Sequence, residues 1–214
     1  MSERSYFKDA LRILFVLVAG STEEDNLPNG ARGIFRAESR LHAFDFWMRY
    51  PDYFANELLD LYMANQDPKL LSIVQEIFDN DEPDIRKLQM IRYRFGAYER
   101  LDDVLSILRS RSLIAISGRK AGAHLLETDF LIMPAAYALL DRIVAEFPET
   151  NWYRERATLV AFLAGNRGGA ALKERQYETI QYATTHLGGI IPSLTDQVKE
   201  RFKTLLAVKA EVTA

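Results

Sequence analysis

Residues 98–134 read YERLDDVLSILRSRSLIAISGRKAGAHLLETDFLIMP, and the order of signals in this stretch decides the fold. Leu101, Val104, Leu105 and Leu108 recur at helical spacing, which predicts a helix from Tyr98 to Arg109 closed by Ser110-Arg111-Ser112. Leu113 to Ile116 is a short apolar run and predicts a strand. Ser117-Gly118-Arg119-Lys120-Ala121-Gly122 predicts a turn, because Gly118 and Gly122 tolerate the backbone angles a tight hairpin needs. His124 to Phe130 reads as extended, and Met133-Pro134 opens the next helix, with proline suited to a first helical position. Helix, strand, Gly- and Lys-containing turn, strand, helix is the layout of a winged helix. The first helix would be the recognition helix, and the hairpin would be the wing, with residues 118–122 at its tip.

Around this module the chain reads as mainly α. Helices are predicted over Tyr6–Ala19, Ile34–Tyr50 and Asp52–Asn65, with Pro51 either a breaker or the opening residue of the third. Leu70, Ile73, Val74, Ile77 and Phe78 mark a further short helix. Met90 to Phe95 alternates apolar and basic residues, as a short strand does, or ends a helix begun near Asp84. Helices are also predicted over Asn151–Ala164 and Ala170–Thr185. A last helix opens at Ser193 and Asp196, a variant of the capping box, and carries an apolar stripe of Val198, Phe202, Leu205 and Leu206. The expected organisation is an N-terminal helical region over 1–83, a winged-helix-like module over 84–147 and a C-terminal helical region over 148–214.

The chain has 214 residues, 48% of them hydrophobic and 27% charged, enough for a packed core. It has no cysteine, which excludes disulfides, thiolate metal sites and cysteine nucleophiles, and fits a reducing, cytoplasmic setting. The N-terminus does not read as a signal peptide. The apolar run Ile13–Ala19 is followed by Glu23-Glu24-Asp25 and is too short to span a bilayer, so no membrane association is expected.

Charge is unevenly spread. Residues 1–85 carry a net charge of −8, residues 86–120 of +6 and residues 121–214 of −1. A basic segment in an acidic protein is commonly a solvated face with internal ion pairs, and less commonly a nucleic-acid footprint. On the footprint reading the candidates are Arg92, Arg94, Arg109, Arg111, Arg119 and Lys120, whose long cationic side chains reach phosphates. Asp102 and Asp103 at the start of the recognition helix would repel phosphates, so docking on protein competes evenly with docking on DNA. The stripe Val198, Phe202, Leu205 and Leu206 is a candidate partner surface, set against the simpler reading as core.

Catalytic patterns are missing. His42, His124 and His186 have no companions at metal-ligand spacing. Gly165-Asn166-Arg167-Gly168-Gly169 lacks the Gly-Lys-Ser/Thr of a phosphate loop, since Lys173 lies inside the following helix and precedes Glu174. There is no Gly-x-Ser-x-Gly elbow. No enzyme activity, cofactor, metal or small-molecule substrate is expected.

Three blocks carry a resemblance. They are Arg40-Leu41-His42-Ala43-Phe44-Asp45-Phe46-Trp47-Met48-Arg49-Tyr50-Pro51, then Ile91-Arg92-Tyr93-Arg94-Phe95-Gly96-Ala97-Tyr98 with Leu105, Leu108 and Ser112-Leu113-Ile114, then Gly168-Gly169-Ala170-Ala171-Leu172-Lys173-Glu174-Arg175-Gln176-Tyr177-Glu178-Thr179. In this order they resemble the small middle components of bacterial ABC-three-component systems and the related small subunits of Lamassu-type antiphage systems. Ala97-Tyr98-Glu99 stands where the family pattern has Pro-Trp-Asp, and Ser112 stands where it has Gly. The resemblance implies a non-catalytic accessory subunit that docks on an SMC-like ATPase, beside a nuclease effector chain, and contacts duplex DNA without sequence preference. The alternative is a winged-helix transcriptional regulator, which should be a dimer with a basic recognition helix.

Overall fold

The computed structural model describes residues 6–93, 96–98, 100–121 and 124–213. These residues are mainly helical, with a small antiparallel sheet. The elements in chain order are α1 (Tyr6–Ala19), β1 (Thr22–Glu23), β2 (Gly33–Phe35), α2 (Glu38–Arg49), α3 (Pro51–Asn65), α4 (Pro68–Asp79) and α5 (Glu82–Ile85), then β3 (Ile91–Tyr93), β4 (Gly96–Tyr98), α6 (Asp102–Ser110), β5 (Ile114–Ala121), β6 (His124–Ile132) and α7 (Pro134–Glu146), and finally α8 (Asn151–Ala164), α9 (Gly169–Tyr177), α10 (Ile180–Thr184) and α11 (Thr195–Thr213). The chain divides into two compact units, one of Met1–Asp45 with Glu99–Arg175 and one of Phe46–Tyr98 with Gln176–Ala214. The boundaries at 45/46 and 175/176 fall inside α2 and α9.

In the first unit, α1 is the central apolar helix, with Ile13, Leu14, Phe15, Val16 and Leu17 all buried. It packs on α8, α6 and α7. The four-stranded sheet has the order β1-β2-β6-β5, antiparallel throughout, with Phe35 opposite Phe130 and Ile114 opposite Ile132. Ile34 and Phe35 lie in β2, so the helix expected from Ile34 starts only at Glu38. The buried carboxylate of Asp129 on β6 accepts the backbone N–H of Ala37 at 3.1 Å, and Ala37 takes a left-handed φ of 73°. That bond caps α2 from 92 residues away, which local periodicity does not reveal.

Arg40 joins the ends of two helices in the same unit. Its guanidinium donates to the carbonyls of Gly20 at 2.8 Å and Gly165 at 3.1 Å, just beyond α1 and α8, and covers the Phe35 and Phe44 rings. Burial lowers its pKa, and the negative helix C-termini favour the cation there. Gly20 is required beneath it, since a Cβ at that position would run into both rings.

Arg12 and Asp45 form a buried ion pair, Nε to Oδ1 at 2.7 Å, with side chains 4% and 0% exposed. Asp9 holds a second guanidinium nitrogen of Arg12 at 2.5 Å. Burial works against the Arg12 charge, but Asp45 and Asp9 outweigh it and raise the pKa.

The hairpin is longer than its sequence suggests. β5 continues through Gly118 and Arg119 to Ala121, and Ala121 pairs with His124. Gly118 is therefore a strand residue opposite Thr128 and not part of the turn, and the expected tip residue Gly122 lies outside the described residues. The register shifts between Arg119 and Lys120, where β6 carries one extra residue. The preceding helix is shorter than expected. Tyr98 belongs to β4, and α6 begins at Asp102 with Leu101 buried just before it.

The second unit is built on α3, packed by α4, α5 and α11. Its centre is aromatic. Phe46 contacts Tyr50, Tyr53 and Tyr182, with ring centroids 4.8, 5.0 and 5.3 Å away. β3 and β4 pair as a two-stranded ribbon, and Ile91 also bridges to Ile190. The helix expected over Ala170–Thr185 is two helices, α9 and α10, with Thr179 in extended conformation between them. The entry of α11 is capped by Asp52 of α3, which accepts Leu194 N–H at 2.7 Å and the Ser193 hydroxyl at 2.5 Å.

Candidate functional site

The basic candidates divide between the two units. Arg92 lies in the second unit, and Arg109, Arg111, Arg119 and Lys120 lie in the first. Arg92 faces inward. It donates to the Thr185 carbonyl at 2.6 Å and stacks on the Tyr177 ring at 5.3 Å, so it holds β3 to the chain before and after α10. Arg94 lies outside the described residues, as do the side chains of Arg119 and Lys120, whose backbone runs in β5.

Arg109 and Arg111 are exposed at the C-terminal end of α6, where a cation also offsets the helix dipole. Asp102 and Asp103 occupy the first turn of the same helix, where acids are favoured for the same reason, and Asp102 pairs with Arg100 at 3.1 Å on the surface. The acidic pair that counts against phosphate contact thus has a helix-stabilising role.

The α11 stripe is mostly core. Val198 and Phe202 are buried, and the Phe202 ring sits 6.4 Å from that of Phe78 on α4. Leu205 is half-buried, and of the four only Leu206 is exposed, at 39%. A stripe at 3.6-residue spacing looks the same whether it packs inside the unit or outside, and here Val198 and Phe202 pack inside.

The phenols around Phe46 are the most chemically distinctive group that periodicity missed. The density of aromatics over residues 44–54, with Tyr177 and Tyr182 downstream, is the available signal. Tyr50 donates to the Ile191 carbonyl and accepts from Met90 N–H, both at 3.0 Å. Tyr182 accepts from Ala97 N–H. The Tyr53 hydroxyl is buried without a hydrogen-bond partner. Burial raises the pKa of all three above the ordinary phenol value.

Two expectations follow. Tyr53→Phe should stabilise the chain by about 1 kcal/mol, because it removes an unsatisfied buried hydroxyl. Tyr50→Phe should destabilise it by a similar amount, and urea unfolding of both variants checks the opposite signs.

The second concerns alkaline pH. Above about pH 10 the unfolded chain releases phenol protons that the folded chain keeps, so the unfolded state binds fewer protons there. Below about pH 10 the ionisation of these phenols costs the fold nothing, and above it stability falls by up to about 1.4 kcal/mol per pH unit for each phenol. In an alkaline titration their phenolate absorbance should rise together with loss of near-ultraviolet circular dichroism. Ionisation of these three with the dichroism intact would contradict the assignment.

Among the described residues no group of three or more His, Asp or Glu could hold a metal, and no helix is long and apolar enough to cross a membrane. His42 lies 3.8 Å from Glu38 one turn away, an ordinary helix-surface pairing. Compared with known protein families, curated proteins and solved structures, the chain matches none.

Proposed function

We propose that the chain is a non-catalytic accessory subunit of an SMC-like ATPase complex in antiviral defence, working in the cytoplasm. The observation that supports this is that the third resembling block touches each of the other two. Arg92 of the second block stacks on Tyr177 of the third. Gly169 of the third fits so closely against Arg40 of the first that a Cβ would meet the Arg40 backbone nitrogen at 2.6 Å. These contacts join residues 85 and 129 positions apart in the chain, which chance similarities have no reason to bring together.

The finer fold reading, a winged-helix module, rests on chain order. α6 precedes β5, the β5–β6 hairpin follows, and α7 closes the series. The base of the hairpin is held by β2, which pairs with residues 130–132 of β6. Arg109 and Arg111 would then lie beside the wing and contact phosphates without reading bases.

A tagged pull-down from the native host tests the subunit reading. Recovery of a large coiled-coil ATPase, with or without a nuclease chain, is the expected result. Recovery of the chain alone, as a dimer on promoter DNA, would replace the proposal with the transcriptional regulator. The purified chain should hydrolyse no ATP. It should bind duplex DNA weakly and without sequence preference, with dissociation constants of roughly 1–100 μM that rise steeply with salt. Arg109→Ala with Arg111→Ala should weaken that binding on every sequence alike, read by fluorescence anisotropy. A sequence-specific nanomolar complex insensitive to salt would sink this part.

A further inference from the structure

A cleft of about 280 Å³ opens in the first unit between α1, α7 and α8. Its floor is apolar, made by Phe15, Val18 and Leu140. Its rim carries Arg32, Arg154 and Asp141. Tyr137 forms one wall and is held in place twice. Its hydroxyl meets the Ser21 hydroxyl at 3.1 Å, and Gly33 leaves the space that hydroxyl occupies, since a Cβ there would approach it to 2.5 Å. Arg32 lies over the Tyr137 ring at 4.3 Å.

The rim charges are unequal. Two guanidiniums face the cleft and one carboxylate accompanies them. Arg154 bonds Asp141 through one nitrogen at 2.8 Å. Arg32 is held from outside the cleft by Glu23 at 2.7 Å. A guanidinium has five N–H donors in a planar fork, so both retain donors after these bonds. An apolar floor beneath cationic, planar donors matches a molecule with one carboxylate and a small apolar body. The volume lies at the lower edge of small-molecule sites, which limits the body to about one ring.

We propose that this cleft binds a small amphiphilic monocarboxylate. The apolar body would rest on Phe15 and Leu140, and the carboxylate would sit between Arg32 and Arg154. Such a ligand is bound and not turned over, so the inference goes beyond the subunit reading and stands independently of it. The carboxylate has two sources, a free organic acid or the C-terminus of a peptide ending in an apolar residue.

Titration of the full chain with phenylacetate, followed by protein-observed NMR, tests the site, with phenylacetamide as the uncharged control. Saturable binding with a dissociation constant of about 1 mM is expected for the acid, as suits a ligand of this size. The amide should bind at least about tenfold more weakly, and so should the acid to Arg154→Gln, each having lost a charge-assisted contact. Thr158→Trp places an indole in the mouth of the cleft from an exposed helix position and should abolish binding with the helical dichroism unchanged. The dipeptide Gly-Phe and its C-terminal amide form the second arm. Tighter binding of the dipeptide than of phenylacetate assigns a peptide terminus, and the reverse assigns a free acid. No saturable binding of either acid, equal binding of acid and amide, or binding indifferent to both substitutions would overturn the proposal.

Discussion

Replacing Asp45 with alanine is expected to lower folding stability by about 3–5 kcal/mol, the largest effect of any single substitution considered. Asp45 is fully buried and holds the Nε of Arg12, itself only 3% exposed. Removing the carboxylate leaves a guanidinium inside the protein with only Asp9, on its own helix, to balance it. The penalty is the desolvation of that charge and not the loss of one hydrogen bond, so the double variant Arg12→Met with Asp45→Leu should recover most of the loss. Urea unfolding of the single and double variants gives the comparison. An Asp45→Ala loss below about 1 kcal/mol, or a double variant as unstable as the single, would show that the pair is not a buried charge unit.

Asp52→Ala is expected to cost about 3 kcal/mol by a different route. Asp52 is fully buried in the first turn of α3, and its side chain accepts Leu194 N–H, the Ser193 hydroxyl and its own neighbour's N–H at Tyr53. The change strands two backbone donors and removes a negative charge from the N-terminal end of α11, a helix of 19 residues. Ser193→Ala should cost only about 1 kcal/mol, since the carboxylate keeps its backbone partners. Hydrogen exchange locates the effect. Asp52→Ala should speed amide exchange in the first turns of α11 before it does so in α4. Uniform acceleration across the unit, or a loss within about 0.5 kcal/mol of zero, would remove Asp52 from the capping role.

These two carboxylates show where the sequence stops being legible. Helices with a strong 3.6-residue pattern and local end signals were readable to the residue: α1 at its end at Ala19 and α8 over Asn151–Ala164. The entry to α11 was read at about the right place but from the wrong cap. Ser193 does bond Thr195 N–H, weakly at 3.3 Å, while the stronger acceptor comes from Asp52, 142 residues earlier. In the same way Ile34 and Phe35 fit a helical pattern when read locally. Their place in β2 follows from pairing with β6, and the delayed start of α2 from the Asp129 cap.

The candidate site divides along the same line. Exposure of Arg109 follows from local pattern, because it lies off the apolar face of α6, whereas Arg111 continues the spacing of Val104 and Leu108 and is exposed because the helix ends at Ser110. The inward packing of Arg92, Val198 and Phe202 depends on what the fold brings opposite them. Tyr137 reads as one more apolar residue of α7, and its role as a cleft wall exists only once Gly33 and Ser21 are beside it.

The division of the chain into interleaved segments bears on how the molecule is made. Emerging from a ribosome, α1 exposes Ile13, Leu14, Phe15 and Leu17 long before α6 and α8, the helices that bury them, have been translated. Asp45 reaches Arg12 early, but the first unit cannot close until residue 175 is out, and the second must wait for α11. Nascent chains of intermediate length therefore carry α1 as a naked apolar helix, the kind of segment that chaperones hold. Truncation before residue 175 leaves both units unfinished, and truncation between there and α11 leaves the second unfinished.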